Sequence, residues 1–453
     1  MNSRSTEHFA TNTFEKLDES WKEYLENSTI EDVVALLNSD VASEEVPESL
    51  KSLKLGLKSL EYNRKCIRNP RELWQKWTRS DARDGLESEF RVVASSNGVI
   101  RKRIKAKKQH EIDRIVELIA QIQTFHDDKS QPIDSLVDIG AGVGHLSRMI
   151  ALHNKLSVMA VEGNQQFTVA ASSLDEKLVE DSRRIGNADL NLNLDNSPLR
   201  FTSFVTEELA AKIDEFAENR AILVGLHCCG DFSSTILKVF RKSRRAKALV
   251  LLGCCYHKQF ECFHFLHPKT ENGEAPQLSK SSVFPLSQKW AGLELGYVAR
   301  EIACHNNENV AARLGNVDLS RYARAHLEKW IWEITDDPDD RNMGMCSVKC
   351  EQGKTTFEEY IRKALSKRGN HLLERVLKKV PESELSACVS SLRCPLFDAC
   401  EILRLLFAPA VESAILDDRV EFLREKGMNA EVVALFEPTV SPRNLAIVAY
   451  KDS

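Results

Sequence analysis

The chain has no hydrophobic run long enough to cross a membrane. Its longest apolar run, from Ala246 to Cys255, already contains Lys247 and is far shorter than the roughly 20 apolar residues that a membrane helix needs. The first thirty residues are polar and charged, with no apolar segment of the signal-peptide type. We therefore expect an intracellular chain, cytoplasmic or nuclear, with no membrane partner.

No C-x-x-C pair occurs, although the chain has 12 cysteines. In a reducing compartment these are not expected to form a disulfide framework. Several crowd into one window with histidines: Cys228, Cys229, Cys254, Cys255, Cys262, His227, His257, His264 and His267. Zinc binding by these thiols and imidazoles is one hypothesis. Because neighbours on a strand point to opposite faces, adjacent cysteines would chelate poorly there. We therefore predict packing cysteines and no metal, with a structural zinc site as the alternative.

Neither disorder nor a fibrous repeat fits the composition. Hydrophobic residues make up 42% of the 453 residues and charged residues 28%, as in ordinary globular proteins. This length allows two or three domains with a sizeable core. The formal net charge is −5, and the chain has no low-complexity tract.

From residue 134 onward, short apolar segments alternate with helical stretches. The strand candidates are Leu136–Ile139, Val158–Val161, Leu199–Val205, Ile222–Leu226 and Leu249–Gly253. The helical stretches between them are His145–His153, Phe167–Leu178, Glu207–Phe216 and Ser233–Phe240. This alternation predicts right-handed βαβ units and a parallel sheet covered on both faces. Near the end of the sequence, Val432–Phe436 and Leu445–Ala449 flank a turn-rich stretch and predict an antiparallel hairpin.

A glycine-rich turn follows the first predicted strand. It reads Gly140-x-Gly142-x-Gly144 and opens a helix, so a ligand can approach the helix N-terminus closely. The next strand ends in Glu162, about 20 residues on, where an acid accepts hydrogen bonds from the ribose hydroxyls of a bound nucleotide. The predicted cofactor-binding residues are Asp138, Gly140, Ala141, Gly142, Gly144 and Glu162.

The turn departs from two common nucleotide-binding patterns. No G-K-[ST] follows it, which excludes a P-loop, and Gly144 comes one residue earlier than the last glycine of the dinucleotide pattern G-x-G-x-x-G. The acid before the first glycine, the G-x-G-x-G spacing and the terminal hairpin resemble S-adenosylmethionine-dependent methyltransferases of the seven-stranded type. That resemblance implies S-adenosylmethionine as the cofactor.

Two further segments follow the fourth and fifth predicted strands: GLHCCGD at 225–231 and GCCYHK at 253–258. Ligands of open parallel sheets bind outside the carboxyl ends of the strands, so both segments should line the crevice of the glycine turn. We predict His227 and Asp231 as catalytic, and the predicted substrate-pocket residues are Cys229, Tyr256, His257 and Lys108. His227 suits a general base at neutral pH and Asp231 an orienting group. Alternatively, His227 ends the strand and Asp231 caps a helix that starts at Ser233.

Several motifs together resemble the methyltransferase-like protein twenty-five family, which also includes a member named for a ribosomal RNA adenine dimethylase domain. They are KKQHEI at 107–112, DIGAGVGHLS at 138–147, FPLS at 284–287 and PTVSPRN at 438–444, with LHCCG and GCCYHK. The resemblance runs from about residue 100 onward and is weak over 265–380. It implies that the glycines form the cofactor loop, that Glu162 binds ribose, and that the fourth-strand motif comprises His227, Cys229, Gly230 and Asp231. LHCCG is also similar to the KHLCG element of a transfer-RNA 2′-O-methyltransferase family.

The implied fold is a seven-stranded, Rossmann-like α/β methyltransferase sheet with helical additions. We predict a helical N-terminal region over 1–100 and a Rossmann-like S-adenosylmethionine-binding core over 101–260. An irregular and then helical insertion follows over 261–430, and a hairpin over 431–453 completes the sheet.

The methyl acceptor is less determined than the cofactor. The chain lacks the (N/D)-P-P-(Y/F/W) element with which amino-group methyltransferases grip a planar nitrogen, which argues against adenine N6. RNA is slightly favoured, because RKRIKAKK at 101–108 and a second basic cluster could contact phosphates; that cluster is Arg241, Lys242, Arg244, Arg245 and Lys247. The net charge of −5 restricts such contacts to local ones, and no DNA partner is expected. The basic run is alternatively a solvated helix face. Protein or small-molecule acceptors, and a non-catalytic S-adenosylmethionine-binding sensor or scaffold, remain the alternatives.

Overall fold

The computed structural model describes residues 7–39, 43–67, 104–125, 130–154, 156–185, 196–259, 284–305, 307, 310, 319–337, 340–341, 348–367 and 370–452. Two compact units divide the chain. One, here called the sheet unit, comprises Tyr62–Leu295 and Glu412–Ser453. The other, here called the helical unit, comprises Met1–Glu61 and Gly296–Val411.

The domain boundaries expected near 100, 260 and 430 stay predictions, while the contacts of the described residues group Tyr62 with the sheet unit. Residues that follow Glu61 join the sheet unit through long-range contacts. The Tyr62 amide donates to Ser413 Oγ at 2.9 Å across a sequence separation of 351 residues. The Arg64 guanidinium forms a buried ion pair with Glu412 at 2.5 Å. Pairings over such separations leave no local pattern in the sequence.

The sheet unit is built on seven strands. They are β1 (Ile133–Ile139), β2 (Ser157–Glu162), β3 (Leu199–Thr202), β4 (Arg220–Cys228), β5 (Ala246–Gly253), β6 (Asn429–Ala434) and β7 (Leu445–Tyr450). The strand order is β3-β2-β1-β4-β5-β7-β6. Strands β1 to β5 are parallel, and β7 runs antiparallel to both β5 and β6. The predicted seven-stranded α/β sheet and its closing hairpin are therefore confirmed.

The helices of the described residues are, in chain order, α1 (Glu19–Asn27), α2 (Ile30–Asn38), α3 (Glu48–Lys58), α4 (Ala106–Phe125), α5 (His145–His153), α6 (Gln165–Ile185), α7 (Leu209–Phe216), α8 (Asp231–Lys242), α9 (Tyr297–Ile302), α10 (Leu319–Ile334), α11 (Phe357–Ala364), α12 (Asn370–Lys379), α13 (Glu382–Leu385), α14 (Pro395–Arg404) and α15 (Ala408–Arg424). Short 3₁₀ turns cover Phe14–Lys16, Tyr256–Lys258, Val389–Leu392 and Leu405–Phe407.

One face of the sheet is covered by α4 and α5. The apolar stripe of α4, which includes Ile115, Ile119 and Ile122, is fully buried in a core shared with Leu136 of β1 and Ile150 of α5. Burying each such side chain contributes roughly 1.5–3 kcal/mol. This packing fixes α4 against the sheet and so fixes the position of the polar residues in its first turns.

The other face of the sheet is covered by α7, α8 and the part of α15 that lies in the sheet unit. Ile213, Ile236 and Phe240 are fully buried there, together with Leu416 and Val420 of α15. Both faces of β4 and β5 are thus covered, which explains why these strands are apolar along almost their whole length. The polar residues of the two strands are near their ends: Arg220 and His227 in β4 and Lys247 in β5.

The helical unit has two apolar cores of its own. One gathers α10, α11, α12 and the start of α14 around residues such as Phe357 and Val376. The other gathers α1, α2 and α3 against α14. The hydroxyl of Tyr322 donates to the buried carboxylate of Asp398 at 2.7 Å, which satisfies both groups inside the unit. Across both units, no helix of the described residues has the length and apolar character required to cross a membrane.

Candidate active site

The glycine turn joins β1 to α5 in a left-handed backbone conformation. Gly140, Gly142 and Gly144 have φ of +80°, +56° and +72°, a region that favours glycine. The amides of Gly140 and Ala141 both donate to the carbonyl of Val161 in β2, which anchors the turn to the neighbouring strand. A Cβ added to Gly142 would meet no atom within 4 Å. The turn is therefore open at Gly142, before the N-terminus of α5.

Glu162 lies beside this opening. Its Oε2 accepts from the amide of Gly142 at 2.8 Å, and its Oε1 accepts from the amide of Asn164 at 2.9 Å. These bonds fix the carboxylate at the end of β2 next to the glycine turn, where the sequence places the ribose-binding acid. Its contact with ribose remains a prediction.

Two residues support the turn from inside. Asp138 is buried and accepts from Ser147 Oγ at 2.5 Å, and burial raises the pKa of its carboxyl. Arg200 lies behind Gly144, where its guanidinium occupies the space that a Cβ would need, and it donates three hydrogen bonds to the carboxylate of Asp175. Nothing in the sequence pattern pointed to Arg200, because it lies on β3 and reaches the turn through the tertiary fold.

His227 follows the apolar part of β4 and has an unusual backbone. Its φ is +64°, and the pairing of β4 with β5 shifts register between Leu226 and Cys228. A non-glycine residue in this region is strained and persists where the surrounding structure fixes it. The imidazole is partly exposed, and its Nε2 lies 3.0 and 3.1 Å from the two carboxylate oxygens of Glu111.

Glu111 is fully buried in the second turn of α4. Its carboxylate also accepts from Ser441 Oγ at 2.8 Å, and Lys108 Nζ lies 3.5 Å away. Burial raises the pKa of Glu111, but the hydrogen bond and charge of His227, with Ser441 and Lys108, outweigh it and lower that pKa to about 2. Sequence reasoning missed Glu111, although an acid on the apolar stripe beside Ile112 and Ile115 was an available signal.

The unfolding free energy of the sheet unit in acid should depend on whether the carboxyl group of Glu111 is ionised. The pKa of Glu111 is about 2 in the fold against 4.5 ordinarily, so its stabilising effect is complete above pH 4.5 and is lost as the pH falls toward 2. We expect this group to remove about 3 kcal/mol of unfolding free energy over that interval. Urea unfolding at several pH values should show that the unfolding free energy of Glu111→Gln falls less with decreasing pH than that of the unaltered protein. Parallel declines for the two proteins would contradict the assignment.

Asp231 lies inside the protein, only 3% exposed. It is the first residue of α8, whose N-cap is Gly230, so the alternative of a helix starting at Ser233 with an Asp231 cap is wrong. Its carboxylate is near enough to the buried guanidinium of Arg419 for their charges to interact. A catalytic or orienting role for Asp231 remains a prediction.

Tyr256 is 1% exposed, and its hydroxyl donates to Glu412 Oε1 at 3.0 Å. Burial raises the pKa of this phenol. Arg419 lies over its ring at 5.4 Å, inside the protein. Because the ring is buried, it does not offer a face on which an acceptor could stack. His257, in the same 3₁₀ turn, is partly exposed and remains a candidate pocket residue.

Three of the clustered cysteines meet past the ends of β4 and β5. Cys229 Sγ lies 3.0 Å from Cys254 Sγ, which in turn lies 3.5 Å from Cys255 Sγ. The neighbouring thiols of Cys254 and Cys255 lower the pKa of Cys229 below its usual value, against the opposing effect of burial. Cys228 ends β4 and is buried separately. Cys262, His264 and His267 lie outside the described residues.

The second basic cluster lies at the opposite end of the sheet. It spans the last residues of α8 and the start of β5, whereas the glycine turn and His227 follow strand carboxyl ends. Several members have local partners: Lys242 pairs with Glu207, Arg244 with Asp214, and Lys247 lies over the Tyr450 ring. In the first basic run, RKRIKAKK at 101–108, residues 101–103 lie outside the described residues. Lys107 and Lys108 of that run lie beside Glu111.

Gly230 ties the two cysteine-bearing loops together. Its φ is +53° and ψ is −128°, and an added Cβ would lie 2.5 Å from the carbonyl oxygen of Lys258. We expect Gly230→Ala to lower the unfolding free energy by about 2–5 kcal/mol, from backbone strain and forced separation of the loops. Gly292→Ala is the control, because Gly292 has φ of +89° and open space around it. Equal urea midpoints for the two variants would argue against this close approach.

The sequence is similar to a known family of protein domains and to two curated proteins. A family described as "Methyltransferase domain" matches residues 107–261. The Homo sapiens protein named "Probable methyltransferase-like protein 25" is 31% identical over 316 residues, covering 66% of this chain and 48% of the relative. The Mus musculus protein of the same name is 30% identical over 266 residues, covering 56% of this chain and 41% of the relative. This chain thus spans about half the length of the curated relatives it matches.

Solved structures share less with this chain. One of them is a crystal structure of magnesium protoporphyrin IX methyltransferase (ChlM) from Synechocystis PCC 6803 with bound SAM. It is 15% identical to this chain, and the match covers 35% of this chain and 65% of the ChlM chain with a TM-score of 0.21. The fold assignment therefore rests on the strand order described above. The matched domain and the two curated relatives confirm the resemblance to the methyltransferase-like protein twenty-five family. The chain is a relative of methyltransferase-like protein 25 and carries a methyltransferase domain at residues 107–261.

Proposed function

We propose that this chain transfers a methyl group from S-adenosylmethionine to a hydroxyl group of RNA, with His227 as the general base. The observation that carries the proposal is the hydrogen bond between Nε2 of His227 and the carboxylate of the buried Glu111. It lies at the carboxyl end of β4, the strand next to β1, whose own carboxyl end leads into the glycine turn. A base and a cofactor loop on adjacent strand ends can serve one reaction.

The residues at the glycine turn fit the cofactor. Gly142 is open where the cofactor must approach, and Glu162 holds a carboxylate beside it. That carboxylate can accept hydrogen bonds from ribose hydroxyls, as acids at this position do. Bound S-adenosylmethionine would supply an electrophilic methyl group on its sulfonium. Asp138, bonded to Ser147, keeps the start of α5 in place behind the turn.

Glu111 determines which nitrogen of His227 can take a proton. Its low pKa keeps the carboxylate ionised, and an ionised carboxylate only accepts hydrogen bonds. Nε2 must therefore carry the hydrogen, which leaves the lone pair on Nδ1 as the basic site. A proton removed from the acceptor at Nδ1 would create an imidazolium whose charge Glu111 stabilises, as the acid does in other histidine–carboxylate pairs.

A hydroxyl acceptor is the group that needs such a base. A neutral oxygen that attacks a methyl group must lose its proton during the transfer, and a positioned histidine contributes typically 10²–10⁴-fold to a step of this kind. The absence of (N/D)-P-P-(Y/F/W) also argues against an amino nitrogen. Lys107 and Lys108, both partly exposed beside Glu111, supply local positive charge for a phosphate backbone.

Transfer of tritiated methyl groups into fractionated cell extract, with and without ribonuclease, tests the acceptor. We expect ribonuclease-sensitive label that alkaline hydrolysis leaves in dinucleotides, because cleavage by alkali needs a free 2′-hydroxyl. Label in mononucleotides would place the methyl group on a base, and label in protein or small molecules would overturn RNA as the acceptor. No label in any fraction, despite cofactor binding by calorimetry, would favour the sensor or scaffold.

A further inference from the structure

The cysteines past β4 and β5 form a compact group of three sulfur atoms. The ligand atoms of Cys229, Cys254 and Cys255 all lie within 4.8 Å of one another, and each residue is partly exposed. Packing alone does not account for them, since a cysteine that only fills space is typically buried, as Cys228 is in the apolar core. Here three thiols converge at the surface of a strand-end crevice instead.

Contacts within the protein hold this group together. Parallel neighbours β4 and β5 end at the same edge of the sheet, so Cys229 and Cys254 each follow a strand end directly. The carbonyl oxygen of His227 lies 3.5 Å from the sulfur of Cys229 and 3.5 Å from that of Cys254. The close approach of Gly230 to Lys258 fixes the spacing of the two loops. The sulfur atoms are therefore pre-positioned.

Strand alternation does not separate these three sulfur atoms, although the sequence suggested that it would. Adjacent residues point to opposite faces only within a strand, and β4 ends at Cys228 while β5 ends at Gly253. Cys229, Cys254 and Cys255 lie beyond those ends, where the backbone turns. The turn lets Cys254 and Cys255 present both sulfur atoms to the same point.

We propose that Cys229, Cys254 and Cys255 bind one Zn²⁺ ion through three thiolates. Zinc–sulfur bonds of about 2.3 Å around a tetrahedral ion place two sulfurs about 3.8 Å apart. The sulfur distances of 3.0 and 3.5 Å are shorter than that value, and all three sulfurs lie within 4.8 Å of one another, so small outward shifts of the thiols make room for the ion. Each sulfur binds as a thiolate, so a thiol that still carries its proton gives it to the solvent as the sulfur binds. The fourth position is left for water or another small ligand.

Zinc titration of the full-length protein, first stripped of metal by a chelator under reducing conditions, tests the site. We expect one Zn²⁺ per chain by elemental analysis and by competition with a chromophoric chelator. Co²⁺ in place of Zn²⁺ should give the intense thiolate charge-transfer absorption of a sulfur-rich site. Cys254→Ser should weaken zinc binding at least about 100-fold. Cys228→Ser is the matched control, because Cys228 precedes the group but lies in the apolar core.

Thiol alkylation of the unaltered protein provides a second readout that requires no variant to fold. Zn²⁺ should slow alkylation of Cys229, Cys254 and Cys255 together and leave Cys66 and Cys304 unaffected. Equal protection of all five, or zinc affinity unchanged in Cys254→Ser, would overturn the proposal. A Cys229–Cys254 disulfide in air, with no zinc affinity of the reduced protein, would overturn it in favour of a redox pair. None of these outcomes depends on methyl transfer.

Discussion

Gly142→Arg is expected to lose measurable affinity for S-adenosylmethionine in calorimetry. The space in front of Gly142 is empty of protein atoms, so an arginine side chain would occupy the place of the cofactor without displacing the fold. It would also crowd the carboxylate of Glu162, which accepts from the Gly142 amide. The expected loss is at least about 100-fold, since steric exclusion removes the bound geometry altogether.

Gly427→Arg is the matched control for this variant. Gly427 has φ of +74° and open space around it, so arginine there carries the same backbone strain away from the glycine turn. We expect its cofactor affinity to equal that of the unaltered protein, and its urea midpoint to fall about as far as that of Gly142→Arg. Unchanged binding by Gly142→Arg would show that the cofactor site lies elsewhere.

Glu111→Gln is expected to lower kcat for methyl transfer by about 10²-fold while cofactor affinity stays constant. The amide keeps the shape of the carboxylate but not its charge, so it no longer stabilises an imidazolium at His227. Because Glu111 acts through His227, it is a positioning residue, and its loss should appear in kcat rather than in KM. The measurement is the initial rate of tritium transfer to the RNA acceptor at saturating cofactor.

A double mutant separates a shared role from general damage. His227→Ala should lower kcat at least as much as Glu111→Gln, and the two changes together should cost no more than His227→Ala alone, as for residues that act as a unit. Glu117→Gln, on the same helix and away from the His227 pair, is the control and should keep the full rate. Additive losses in the double mutant, or an equal loss in Glu117→Gln, would count against the proposed pair.

Local patterns were sufficient for the secondary structure near the site. The helix over His145–His153 was predicted to the residue, and the predicted start of β3 at Leu199 was correct. Its predicted end at Val205 was wrong, because the strand stops at Thr202 on the exposed edge of the sheet. Hydrophobic periodicity identifies a buried segment well. An edge strand pairs on one side only, so no sharp change in the sequence marks the residue at which it ends.

The sequence by itself determined the alternating β and α segments, the open glycine turn and the acid at the end of β2. These features depend on residues that are close together in the chain, so the period of the hydrophobic residues and the spacing of the glycines predict them directly. Only the tertiary structure decided which distant groups meet: Glu111 with His227, Arg200 with Gly144, and Cys229 with Cys254. It also buried Tyr256, which the sequence placed in the pocket. The reason is physical, since strand order and helix packing choose these neighbours, and neither leaves a mark on the local sequence.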